Sequence, residues 1–123
     1  MPSFYKIDKE RRFVLSSGTG VLNREVALAH QVHLLSDPDF EPSYSQLIDF
    51  TQITQFALSA QDIRQMAYRT FFSSDSRRAI LVPNEHAYGL ARMFEILREA
   101  AGDRGIRVFR KLEEALDWVL SKQ

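Results

Sequence analysis

The chain has 123 residues, of which 45% are hydrophobic and 26% charged, values typical of one globular domain and not of a disordered or fibrous chain. Sixteen basic and sixteen acidic side chains cancel, so no net field attracts nucleic acid, and the lack of cysteine excludes disulfides and thiolate zinc sites. The charged start and the shortness of the apolar runs favour a cytoplasmic protein without membrane insertion.

The first half of the chain begins with strand patterns. Short apolar runs at 4–7 and 12–20, joined through a polar turn, predict two strands in a hairpin-like arrangement. A helix is expected over 23–37, with Asn23 as its N-cap. A turn-rich segment then leads to a short buried strand at 46–50.

The second half alternates helices and strands. In chain order we expect a helix from Ser59 to about Phe72, a strand at 79–83, a helix over 85–101, a strand at 106–109 and a helix over 112–120. The complete order is ββαβαβαβα. Because crossovers between parallel strands are right-handed, this order predicts an α/β fold with a five-stranded mixed, largely parallel sheet covered by four helices. No linker interrupts the chain, so one domain is expected over 1–123.

Two segments of the second half carry a family resemblance. RRAILVPNEHAYGLARMFEILRE, at 77–99, and IRVFRKLEEALDWVL, at 106–120, resemble the small bacterial proteins of the SpoIIAA-like, or STAS/SEC14-like, family. The resemblance implies a SpoIIAA-like domain over the whole chain. Proteins of this fold include anti-sigma-factor antagonists, STAS modules of anion transporters and lipid-binding Sec14-type domains.

Ser59 has two interpretations. In anti-sigma-factor antagonists a serine at the start of a helix is phosphorylated, and the resemblance places Ser59 at the second serine of that motif. Most of the motif is lost, because Ala57, Leu58 and Ala60 replace its acid, first serine and glycine. The alternative is a helix N-cap, in which Ser59 accepts a backbone N–H and Asp62 faces the positive end of the helix dipole. The residue pattern favours the cap.

The carboxyl ends of the parallel strands are the expected place for a ligand or partner, since ligands of open α/β sheets gather there. His86 follows one such strand, and we expect it to be a partly buried histidine bonded to a backbone carbonyl, with a role in ligand binding as the alternative. With Ser59, the polar candidates in these loops and helix starts are Thr19, Thr51, Gln52, Thr54, Asn84 and His86.

The first helix carries a histidine pair, His30 and His33. A metal site needs further ligands, and none stands at a suitable spacing, so no metal is predicted. Helical rotation places Val32 and Leu35 toward the core. The opposite, partly apolar side and two aromatic residues expected to be exposed on the second helix form the candidate interface: Val26, His30, His33, Leu34, Tyr68 and Phe72.

The functional expectation is a non-enzymatic regulatory or protein-interaction module that acts on a protein partner or as a homodimer. The residues contain no catalytic constellation and imply no cofactor. The alternative is a Sec14-type domain that binds a small apolar ligand, lipid or acyl, which requires a cavity above roughly 300 Å³. An enzyme would have to be centred on His86.

Overall fold

The computed structural model describes residues 3–69, 72–74 and 76–121. Within these ranges the strands are β1 (Ser3–Asp8), β2 (Phe13–Gly18), β3 (Gly20–Asn23), β4 (Ser45–Asp49), β5 (Ile53–Ala57), β6 (Arg78–Leu81) and β7 (Ile106–Phe109). The helices are α1 (Arg24–Leu35), α2 (Ala60–Ala67), α3 (Glu85–Ala100) and α4 (Leu112–Leu120).

The main sheet has five strands in the order β1-β2-β4-β6-β7. β1 pairs with β2 in antiparallel fashion, and the other neighbours are parallel. All four residues of β6, at the middle of the parallel part, are buried, as expected for a strand covered on both faces. The predicted mixed, largely parallel sheet with four helices is confirmed.

A second, two-stranded sheet, β3-β5, was not expected from the sequence. The predicted strand at 12–20 divides after Gly18, since Gly20 adopts a positive φ of 76° that redirects the chain. β5 lies in a segment that showed no clear strand pattern. Because β3 follows β2 and β5 follows β4, the small sheet stands just beyond the carboxyl ends of these two strands.

The helices cover the sheet on both faces. Ala115 and Val119 of α4 pack on Leu47, Ala79 and Leu81, which share one face of the parallel strands. Residues that alternate with these point to the other face.

On that other face, Ala91 of α3 packs in a cluster with Ile80, and Leu34 of α1 packs against Val14. Helix α2 contacts α3 beside this layer. The space between this face and α1, α2 and α3 holds the candidate site.

Three helix N-caps were predicted correctly. The side chains of Asn23 and Asn84 accept the backbone N–H groups of Val26 and Ala87, each at 2.9 Å. Ser59 accepts from the N–H of Asp62 at 3.0 Å, and the Asp62 carboxylate accepts the N–H of Ser59 in return, which completes a capping box. The predicted end of α2 near residue 72 is wrong, because the helix ends at Ala67.

A buried ion cluster joins three parts of the fold. Asp103 is 2% exposed and accepts two hydrogen bonds from the guanidinium of Arg78 on β6, one of them at 2.8 Å. Arg98 of α3 donates to the same carboxylate at 3.2 Å and to the carbonyl of Ala67 at 2.7 Å, at the end of α2. Burial raises the pKa of Asp103, but the hydrogen bonds from Arg78 and from the Gly105 N–H outweigh it, so the pKa lies below its usual value.

Candidate functional site

A pocket of about 160 Å³ lies on the face of the main sheet opposite α4, between that face and helices α1, α2 and α3. The small sheet closes part of its wall through Leu22, Ile53 and Phe56. The main sheet contributes Ile48 and Ile80, and the remaining walls, from the helices, are also largely apolar.

One part of the wall is polar and consists of Ser16, His30 and Gln46, which we call the polar end. Nε2 of Gln46 donates to Oγ of Ser16 at 2.9 Å, and Oγ of Ser16 lies 2.9 Å from Nε2 of His30. Since Ser16 already accepts from Gln46, its single hydroxyl proton is available for His30 Nε2. The three side chains come from β2, α1 and β4, so the main sheet and its first helix together build this end.

His30 is half-buried between α1 and β1. Burial, followed by the nearby charge of His33, lowers the pKa of His30. The Tyr5 ring meets the imidazole edge to face, with ring centres 5.7 Å apart. Burial therefore favours the neutral imidazole, whose Nε2 accepts from Ser16 in one tautomer and donates to it in the other.

The Ser16–His30 pair has the separation of a nucleophile and its base, but its setting differs from that of an acyl-transfer centre. Ser16 lies in a central strand and pairs with both Tyr5 and Ile48, so the backbone amides around it serve the sheet. Among the hydrogen bonds of residues 3–69, 72–74 and 76–121, none places an acid on His30. Polar groups arranged in this way can orient a bound molecule.

The predicted ligand surface lies elsewhere. Oγ1 of Thr51 donates to Asp49 at 2.6 Å, which uses the threonine within its own turn. His86 is exposed, not partly buried as predicted, because the buried residues at this end of α3 start one position later, at Ala87. None of the predicted polar residues lines the pocket: Thr19, Thr51, Gln52, Thr54, Ser59, Asn84 and His86.

The prediction for the face of α1 in the candidate interface is largely wrong. Leu34 is fully buried against Val14 and Tyr44, whereas Val32, expected in the core, is 61% exposed. Leu35 is likewise exposed. The helix is thus rotated from the predicted orientation, because the pattern of apolar residues on α1 is almost uniform around its axis and leaves the rotation to packing.

The other interface residues have separate positions. Val26 and His30 line the pocket, while His33 faces solvent. Tyr68 is 88% exposed, as predicted, but Phe72 is half-buried and meets the Phe40 ring at 5.2 Å. The six residues therefore do not form one surface.

Two features are absent from the part of the chain that the structure describes. No group of three or more His, Asp or Glu side chains there is arranged to hold a metal ion. None of the helices in these ranges has the length and apolar character needed to cross a membrane.

Comparison with known proteins identifies the fold. No family model matches the sequence, and no curated protein is significantly similar to it. The crystal structure of an uncharacterised protein of the DUF3478 family from Shewanella loihica PV-4, described as having a SpoIIAA-like fold, is similar with a TM-score of 0.59. The two chains are 19% identical, and the match covers 95% of this chain and 93% of that one. The sheet order, the four helices and this match together establish that the chain has the SpoIIAA-like fold.

Proposed function

We propose that the protein is a non-enzymatic module that binds one small, largely apolar molecule in the pocket. The observation that supports this function is the combination of apolar walls with the polar end, Ser16, His30 and Gln46. Ligand sites of proteins have this composition, with apolar walls for affinity and a few polar groups for orientation.

The size of the pocket limits the ligand. A volume of about 160 Å³ is close to that of engineered apolar cavities of about 150 Å³ that bind benzene. Drug-sized ligands use pockets of roughly 300–1,000 Å³. The proposal is therefore a ring-sized or short-chain molecule, and the lipid suggested by Sec14-type domains is not retained.

The first test is direct binding of benzene, followed in amide NMR spectra. We expect saturable shifts for residues of the pocket wall, including Ile48 and Ala91. Replacing Ala91→Leu places extra atoms in the pocket and should abolish these shifts.

The control is Ala115→Val, which overfills the opposite face of the sheet at a comparable cost of about 1–3 kcal/mol and leaves the pocket open. Unchanged spectra of the wild-type protein up to saturating benzene would refute the proposed function. Native mass spectrometry of protein purified from cells then shows which small molecule is retained.

Exposed apolar residues on α1 support a second candidate function, association with another protein or with a second copy of the chain. Val32 is 61% and Leu35 52% exposed on the outer side of the helix whose inner side contributes His30 to the pocket. Because one helix carries both features, a ligand that moves α1 would also change the outer surface, which is how a regulatory module would signal occupancy.

Sedimentation equilibrium tests the self-association. The wild-type protein should exceed the monomer mass at high concentration, and the double variant Val32→Asp, Leu35→Asp should be monomeric. Ile96→Asp, which changes an exposed apolar residue on α3, is the matched control. A wild-type protein that stays monomeric at all concentrations excludes the homodimer.

A further inference from the structure

The pocket wall carries no charged residue. Its lining, drawn from the described parts of the chain, includes no Lys, Arg, Asp or Glu side chain. His30, the residue of the wall whose charge could change near neutral pH, is held neutral because burial lowers its pKa. An ion that enters such a site gives up its hydration without gaining a partner of opposite charge. The lining therefore selects against carboxylates, phosphates and ammonium groups.

The polar end has unused hydrogen-bonding capacity at Gln46. This residue is 5% exposed, and its amide nitrogen donates to Ser16. No residue that the structure describes donates a hydrogen bond to the carboxamide oxygen, and this oxygen is not among the side-chain atoms that are fully buried without a partner. Since Gln46 lines the pocket, its oxygen can accept a hydrogen bond there from a donor group of a ligand.

The hydrogen-bonding groups of Ser16 and His30 are engaged within the polar end, because the Ser16 hydroxyl accepts from Gln46 and lies 2.9 Å from His30 Nε2. The Gln46 oxygen has no such partner among the described residues. The group that best complements the polar end is consequently one neutral O–H directed at Gln46.

We infer that the pocket takes an uncharged, ring-sized alcohol or phenol, whose hydroxyl donates to Oε1 of Gln46 while its ring packs against the apolar walls. This inference rests on the proposed function, because it assigns the ligand class of the same pocket. It adds selectivity, which an apolar cavity alone would lack.

The test compares three probes of similar size at pH 7.5: benzene, phenol and benzoate. Dissociation constants come from NMR titration of the wild-type protein. Phenol should bind about tenfold tighter than benzene, the gain expected from one hydrogen bond to a buried group. Benzoate should bind at least about tenfold more weakly than phenol, because its charge has no partner in the pocket.

The outcomes separate the inference from the proposed function. If benzene does not bind, both are refuted. If benzene binds and phenol binds no tighter, the pocket is an unselective apolar cavity and the inference alone is overturned. Benzoate binding as tight as that of phenol would also overturn it.

A variant assigns the selectivity to Gln46. Gln46→Met keeps a side chain of similar length without the amide. The roughly tenfold preference for phenol over benzene should therefore disappear, and the two dissociation constants should become about equal. Gln65→Met is the matched control, since Gln65 is an exposed glutamine on α2 that does not line the pocket. Loss of the preference in the control and not in Gln46→Met would overturn the assignment.

Gln46 is buried, and its replacement could prevent folding. In that case the NMR signals of the Gln46 side-chain amide in the wild-type protein test whether Gln46 binds the ligand hydroxyl. They should shift with phenol and differ from the shift seen with benzene. Equal shifts with the two probes would contradict a hydrogen bond to the ligand.

Discussion

Oγ of Ser16 lies 2.9 Å from Nε2 of His30, and this contact joins the second strand of the sheet to helix α1 at one end of the pocket. The contact combines a half-buried imidazole with a buried hydroxyl, so the protonation of His30 affects both the stability of α1 and the pocket. Titration of this histidine is therefore accessible through the stability of the whole protein.

We expect the free energy of unfolding to decrease as the pH is lowered below about 6.5, the ordinary pKa of histidine. Burial lowers the pKa of His30 in the folded protein, so the unfolded chain takes up this proton first as the pH falls. The loss of stability begins near the pKa of His30 in the unfolded chain and stops below its pKa in the folded protein. Urea unfolding between pH 7.5 and 5 measures it, and His30→Gln should flatten the slope.

His33→Gln is the control for this prediction. His33 is exposed and is only the second cause of the lowered pKa of His30, so most of the slope should remain. A slope that disappears in His33→Gln and persists in His30→Gln would contradict the assignment.

Asp103→Asn should be strongly destabilising. The change leaves the buried guanidinium groups of Arg78 and Arg98 without their carboxylate, and breaking a buried pair in this way costs about 3–5 kcal/mol. Chemical denaturation measures the difference. Asp39→Asn removes an exposed ion pair with Lys9 and should cost at most about 1 kcal/mol; equal costs for the two variants would show that burial does not matter here.

Gly105→Ala should destabilise the fold through direct overlap. A Cβ at this position would meet the Ser76 carbonyl oxygen and would lie 2.5 Å from Nη2 of Arg78. The clash involves backbone, which cannot move aside easily, so we expect a loss of about 1–3 kcal/mol or more. Gly89→Ala is the control, since a Cβ there meets nothing within 4 Å and favours the helix. A thermal melt in which both variants resemble the wild type would refute the overlap.

Ser59→Ala should cost about 1 kcal/mol, because the first turn of α2 loses its cap. Ser59→Asp should recover most of this stability, since aspartate caps helices about as well as serine. Thermal unfolding of the three proteins distinguishes capping from other roles. If Ser59→Ala has the stability of the wild type, the capping box contributes nothing measurable.

Local patterns in the sequence predicted the five strands of the main sheet, the four helices in their chain order and the helix starts, but not β3 and β5. Asn23, Ser59 and Asn84 cap the helices that follow them, because capping depends on residues within one turn of the chain. The apolar run at 79–83 overlaps β6, an interior strand of the main sheet, for a similar reason, since burial on both faces requires apolar side chains at consecutive positions.

The candidate site was not predictable in the same way. The sequence predicted a site at polar residues in loops and helix starts, such as His86, whereas the polar end of the pocket lies on β2, β4 and α1. A serine and a glutamine inside apolar strand patterns, Ser16 and Gln46, were the available signal, since polar groups at buried positions need partners. The rotation of α1, which turns His30 and Leu34 inward and leaves Val32 and Leu35 exposed, is not encoded in the weak periodicity of that helix.

The sequence by itself thus determined the fold class, the chain order of the main-sheet strands and helices, and the helix caps, all of which depend on neighbours in the chain. Only the tertiary structure decided the contents of the pocket, the pairing of β3 with β5 and the joining of Arg78 and Arg98 through Asp103. The Ser16–His30, Ser16–Gln46 and Arg78–Asp103 contacts and the β3–β5 pairing join residues 14 to 34 positions apart. Their partners are set by how complete helices and strands pack, which no local pattern records.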